Sequence, residues 1–229
     1  MTANVRRYAL SFAGVIAVLF AVWVGSLNWS GGIRDIHQFR QTQTAMAARG
    51  LLEGGAWWSY ELPLFGRPWS VPFEFPTYQG IVAVVVGATG LDLESAGRAV
   101  SLLFHVLSLV PLAMIARHPG GGPSVTAVTL ILFVASPHYV FWSRTFMIES
   151  TATFFGLAYL AAFLRAKSWQ HWSLVALLGI VAALTKVTTL AGFLAAAVIL
   201  GASVTKGQRL RAIVFGMIAP LAAGAAWTS

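Results

Sequence analysis

Long apolar runs, broken at intervals by short polar stretches, fill the chain from its first ten residues to its last. The first run, Tyr8 to about Trp29, follows Arg6 and Arg7, and others cover 98–116, 124–142 and 150–164. They approach the ~20 apolar residues that cross a hydrocarbon core of ~30 Å as a helix. The run from Trp169 to Val204 is too long for one crossing, since it would extend over ~50 Å. Its middle carries "TKVTT", so the pattern predicts two helices, 169–185 and 187–204, joined by a tight turn. A last run, 212–229, ends in mid-helix at "AAWTS", which points to a longer protein. The first run has no A-x-A site behind its apolar stretch and reads as an uncleaved helix. The expectation is an all-α polytopic membrane protein with seven transmembrane helices in one module, 1–229.

Between the first two runs lies a long polar loop, 30–97. It predicts an interfacial helix over about 36–54, rich in alanine and stopping at "EGG", with Asp35 placed as a possible N-cap. A second interfacial helix is expected over about 76–91. Its uninterrupted apolar part, Ile81 to Leu91, reaches only ~17 Å, short of a crossing.

Composition agrees with the pattern. Hydrophobic residues make up 58% and charged residues 10%, and mean hydropathy is +0.76. The net charge of +8 is spread singly or in small groups between apolar runs, which is a topology signal and not a nucleic-acid-binding stripe. With no cysteine there is neither a disulfide framework nor a thiolate site. If 76–91 does not cross, Arg6, Arg7, Arg117, Arg165, Lys167, Lys206, Arg209 and Arg211 share one face with no acid. The positive-inside rule makes that face cytoplasmic. The opposite, external face then holds all seven acids, together with Arg144 and Lys186 at turns between spans.

That one-sidedness marks a candidate polar site. On the first loop helix His37, Gln41 and Thr44 share a face, with Arg40 beside Thr44. Glu74 stands among aromatics just before Pro76. Arg144 and Glu149 open the fourth span, and they either pair with each other or serve a ligand. Lys186 either snorkels to the interface or serves the site. His105, within a span, reads as a packing residue. Trp57, Trp58, Tyr60 and Trp69 suit an interfacial belt or a sugar-stacking surface. No metal-ligand spacing or phosphate-binding glycine loop is present, so neither metal nor cofactor is expected.

Four segments together resemble the GT-C membrane glycosyltransferases, in the bacterial branch with protein O-mannosyltransferases and lipid A aminoarabinose transferases. "RDIHQFRQTQTAMAARGLLEGG" is similar to a first-loop motif there, and "FEFPTYQGIVA" to an acid-Pro segment. "SRTFMIESTATFF" resembles the segment whose acid opens the fourth span, and "LTKVTTL" the turn ending the fifth. The resemblance implies a seven-helix module in the bacterial inner membrane. It also implies metal-independent, inverting transfer from a polyprenyl-phosphate-linked sugar to a lipid, glycan or protein acceptor on the external face. Asp35, with His37 and Glu74 behind it, becomes the candidate catalytic base, and Arg40, Gln41, Arg144, Glu149 and Lys186 become candidate substrate-binding residues. The chain departs from the pattern at Arg40 and Gln41, where relatives with known activity carry an acidic pair, and at Phe75, where the aminoarabinose branch has lysine. A transporter subunit or a non-catalytic membrane scaffold is the alternative.

Overall fold

A computed structural model describes residues 3–27, 29, 32–33, 36–62, 73–118, 120–200 and 206–228. Regular structure among them is helical throughout: α1 (Ala3–Ser26), α2 (Gln38–Leu52), α3 (Thr77–Thr89), α4 (Leu93–Leu107), α5 (Leu109–Ala116), α6 (Pro123–Ala135), α7 (Pro137–Ser143), α8 (Glu149–Arg165), α9 (Trp169–Leu200), α10 (Arg209–Arg211) and α11 (Ala219–Thr228). The protein is helical and membrane-embedded in character. Among the described residues, Leu93–Ala116, Trp169–Leu200 and Arg209–Trp227 are long and apolar enough to cross a bilayer. The bent pair α6–α7 makes a fourth.

Prolines set most of the irregularities. Pro111 has no N–H for the carbonyl four residues earlier, so the hydrogen-bond ladder lapses between α4 and α5 while Ser108 keeps helical backbone angles. Ser136 takes extended geometry (ψ 121°) before Pro137, which forbids the α region to its neighbour. The bend there is 60°. Asp92 caps α4 by accepting from the Ser95 amide at 2.9 Å. In the last segment Ala212–Ile218 is π-helical. Pro220 offers no N–H to the Gly216 carbonyl, and the buried Tyr159 hydroxyl donates to that carbonyl at 2.7 Å.

The predicted turn at "TKVTT" is a single residue. Lys186 leaves helical geometry (φ −165°, ψ 97°) in the middle of α9. Neighbouring contacts show what this does. Glu149, the first residue of α8, touches Lys186. Gly156, two turns along α8, faces the ring of Phe193, two turns beyond Lys186, so closely that a Cβ would meet it at 2.2 Å. Arm 187–200 therefore runs beside α8 in the same direction. Arm 169–185 runs against it, with Phe163 edge-on to Trp172 at 5.6 Å and Tyr159 beside Gly179. The 32-residue helix, a single span candidate by length and composition, is thus folded into two arms of about 26 and 21 Å, so neither of the two expected spans alone matches a ~30 Å core.

Two differences from expectation concern the first loop. Helix α2 starts at Gln38 and its cap position falls on His37, not Asp35. The helix after α3 begins at Leu93, several residues ahead of the expected 98. Two of the packed centres among the described residues tie the most helices together. One joins α8, α9 and the last segment around Tyr159, Phe163 and Trp172. The other joins α2, α3 and α4 to the α7–α8 turn around Tyr78, Val82, Val100 and Phe146. Within the second, the Tyr78 hydroxyl donates to the Gly97 carbonyl at 2.8 Å, and Ser101 donates to the Thr145 carbonyl at 2.7 Å.

Tyr159→Phe is expected to lower thermal stability by about 1 kcal/mol, because the Gly216 carbonyl loses its side-chain donor in an apolar setting. Pro220→Ala restores an N–H and should reduce that loss in the double variant, a coupling that thermal unfolding in detergent measures.

Candidate functional site

The two ends of the bundle differ in charge. Arg117 follows α5, Arg165 ends α8, and Arg209 and Arg211 open the last segment. At the other end Arg40 lies in the first turn of α2, Glu74 precedes α3, Arg144 follows α7, Glu149 starts α8 and Lys186 forms the corner of α9.

Two acid–cation pairs organise this second end. In one, Arg40 Nη2 donates to Glu74 Oε1 at 3.0 Å. Its Nη1 donates to Gln43 Oε1 at 3.0 Å, and the guanidinium lies 5.8 Å from the Phe73 ring centroid. The Tyr60 hydroxyl donates to the Glu74 carbonyl at 2.9 Å. Burial, aided by the Glu74 charge, pushes Tyr60 up to about 12, so the phenol stays protonated and keeps donating at neutral pH. Gln79, from the first turn of α3, brings a buried side-chain oxygen with no partner into the same recess. The recess has room for about one water, at about 10 Å³.

In the other pair, Lys186 Nζ donates to Glu149 Oε1 at 2.7 Å, while Glu149 Oε2 is buried without a partner. Side chains of both pairs are largely shielded, 35% and 23% exposed in the first and 23% and 15% in the second. Charges this protected are costly to unpair, unlike the open Arg49–Glu53 pair on the far end of α2.

The Lys186 corner connects the two. It frees the Leu184 carbonyl from its helical donor, and the Phe75 amide supplies one at 3.0 Å. The strand of chain that carries Glu74 is thereby fixed to the corner that carries Lys186. Trp227 clamps it from the other side, donating to the Phe73 carbonyl at 3.1 Å with its ring edge-on to Phe75 at 4.9 Å.

The remaining expected residues take other places. Gln41 is 1% exposed. It accepts from the Phe146 amide at 3.0 Å and donates to the Ile36 carbonyl at 3.1 Å, so it braces the α7–α8 turn instead of facing the recess. Arg144 donates to the Val24 and Leu27 carbonyls at 3.1 and 2.8 Å, holding the end of α1. The Arg144–Glu149 pairing is not formed, since Glu149 takes Lys186. His37 has a left-handed backbone, φ 67°, and its exposed ring stacks on Trp142 at 5.5 Å. Asp35 and Trp69 lie outside the described residues. His105 is buried and stacked on Phe133 at 4.8 Å, as expected of a packing residue. Trp57 packs on Gly80, where a Cβ would collide with its ring, and Trp58 is exposed.

Three participants were not legible as such: Gln79, Gln43 and Trp227. Gln43 and Gln79 are amides in helices, and only their burial distinguishes them. Arg98, expected merely to open a span, is buried and donates to the Trp29 and Gly32 carbonyls. Among the described residues no group of three histidines or carboxylates is arranged to hold a metal. What the site offers is two carboxylate–cation pairs joined through the Phe75–Leu184 backbone bond, with unpartnered oxygens on Glu149 and Gln79. No protein-family profile, curated protein or solved structure matches the chain.

Gln41→Leu leaves the Phe146 amide buried without an acceptor. It is expected to destabilise by about 1–3 kcal/mol, read as an earlier thermal transition.

Proposed function

We propose that the chain is the seven-span module of a GT-C type glycosyltransferase of the bacterial inner membrane. It transfers a sugar from a polyprenyl-phosphate donor to a lipid, glycan or protein acceptor at the external face. The observation that carries this reading is the Lys186 corner, which sets Glu149–Lys186 and Arg40–Glu74 at one end of an apolar bundle. The charge-poor lipid-facing surface suits a polyprenyl tail. The cations suit its phosphate, and the partnerless carboxylate and amide oxygens suit sugar hydroxyls. The basic residues at the opposite end then face the cytoplasm.

In this mechanism an acceptor hydroxyl attacks the anomeric carbon as the bond to the phosphate oxygen breaks. The hydroxyl proton passes to a carboxylate, and the phosphate leaves as a monoester with extra negative charge. Lys186 and Arg40 stabilise that charge. Arg40, on engaging phosphate, turns away from Glu74 and releases the carboxylate to accept the proton. Glu149 orients the sugar through Oε2. Asp35 is the other candidate base, with His37 at the rim beside Trp142. Gln41 and Arg144 act as positioning residues through the turn and the end of α1. The narrow recess around Gln79 favours one competing reading, a closed structural lock in a membrane scaffold.

Purified protein in lipid nanodiscs, supplied with polyprenyl-phosphate carrying a labelled hexose, tests the proposal through release of free polyprenyl phosphate. Turnover is expected, falling ~100- to 1,000-fold in Lys186→Ala and strongly in Glu74→Gln and Glu149→Gln, with folding retained. Absence of turnover with every donor supports the scaffold reading instead, and full turnover in all three variants overturns the assignment of the site.

A further inference from the structure

At the basic end, away from the paired charges, a cleft of about 490 Å³ opens between α5, α8 and the first arm of α9. Its walls are apolar, with Val110, Met114, Phe154, Ala158 and Leu174 among them, and Arg165 and His171 stand at its mouth. From Phe154 to Arg165 the cleft follows α8 for about 16 Å. That is roughly half of a ~30 Å hydrocarbon core, the depth of one leaflet. Its shape and polarity match a single lipid: one acyl-chain length of apolar wall ending at a cation.

The mouth is built for an anion. Arg165 Nη2 donates to the Met114 carbonyl at 2.6 Å and Nη1 to the Ala161 carbonyl at 3.4 Å. These bonds hold the guanidinium across the junction of α5 and α8 and use two of its five N–H groups, leaving others for a phosphate. His171 Nδ1 accepts from the Ser168 amide at 3.4 Å, so the neutral ring carries its proton on Nε2 and presents a second donor. Arg117, just past the end of α5, and Lys167, just past α8, are exposed beside them and add to the positive field. The smaller apolar hollow between α1 and α4, about 360 Å³, lacks such a mouth, its one ionisable lining residue being the buried, ring-stacked His105.

We infer that this cleft is a binding site for one anionic phospholipid, its acyl chain between α5 and α8 and its phosphate on Arg165 and His171. The site is separate from the proposed transfer chemistry and stands whether or not the chain turns over sugar.

Native mass spectrometry of the intact protein tests it, using phosphatidylglycerol, phosphatidylcholine with the same acyl chains, and sodium phosphate alone. Wild type is expected to retain one phosphatidylglycerol at least tenfold more tightly than phosphatidylcholine, and to show no retention of phosphate alone. Arg165→Gln should abolish the preference. Ala158→Phe, which fills the apolar wall and leaves the cations in place, should lose the bound lipid. Equal retention of the two lipids, or unchanged phosphatidylglycerol binding in Ala158→Phe, overturns the inference. Binding of phosphate alone at the same strength does so as well. Should Arg165→Gln fail to fold, the lipid comparison and Ala158→Phe decide by themselves.

Discussion

A helix that stops inside a bilayer must find partners for the backbone groups it releases, because the surroundings offer none. Lys186 creates that problem by turning α9 back on itself, and Phe75 answers it by giving its amide to the Leu184 carbonyl. The polar architecture depends on this exchange. It makes the segment around Glu74 part of the bundle instead of a free loop, and Trp227 from the last helix closes over it. A lysine at the corner of two packed helices would be expensive alone. Glu149 at the start of α8 makes it tolerable, and the same contact fixes α8 to both arms.

The rest of the polar end follows by a chain of braces. Gln41 fixes the α7–α8 turn that leads into Glu149. Ser101 and Tyr78 fix the same turn to α3 and α4. Arg144 and Arg98 spend guanidinium donors on carbonyls in the last turn of α1 and just after it. Residues of one type therefore do different work here. Arg40 and Lys186 hold carboxylates, whereas Arg98, Arg144 and Arg165 satisfy backbone ends, where carbonyls lack helical donors.

Much of the fold was legible because burial in lipid leaves a plain periodicity of length. Apolar runs marked most helices, and the short Ile81–Leu91 run marked a helix that does not cross on its own. The corner at "TKVTT" was legible too, since a lysine between two long apolar arms is costly anywhere but at a turn. Exact ends were not. Whether α2 starts at about residue 36 or at Gln38 depends on a left-handed His37 braced by Trp142, a contact from a distant part of the chain that no local signal encodes. The candidate site was legible as a set of charges on one face, but not as pairs. Glu149 lies five residues from Arg144 and thirty-seven from Lys186. The nearer partner is the natural guess, and the helix hairpin chooses the farther one. Gln79 went unread because an amide shows its role only when its oxygen is found buried and alone.

Charge segregation also constrains how any ligand approaches. The cations of the acidic end already hold carboxylates, and in the proposed transfer an anion there competes with Glu74 for Arg40 and with Glu149 for Lys186. The basic end carries Arg117, Arg165, Lys167, Arg209 and Arg211 with no described acid beside them, and it can attract anions without such an exchange. A lipid phosphate would thus meet an open cation at one end and a guarded one at the other. Guarding has a chemical consequence. In the proposed transfer, displacement would couple arrival of a phosphate to release of a carboxylate, so that a base appears only when a leaving group is in place. That coupling is what Arg40 would contribute to the proposed transfer, because it would make Glu74 conditional on the ligand.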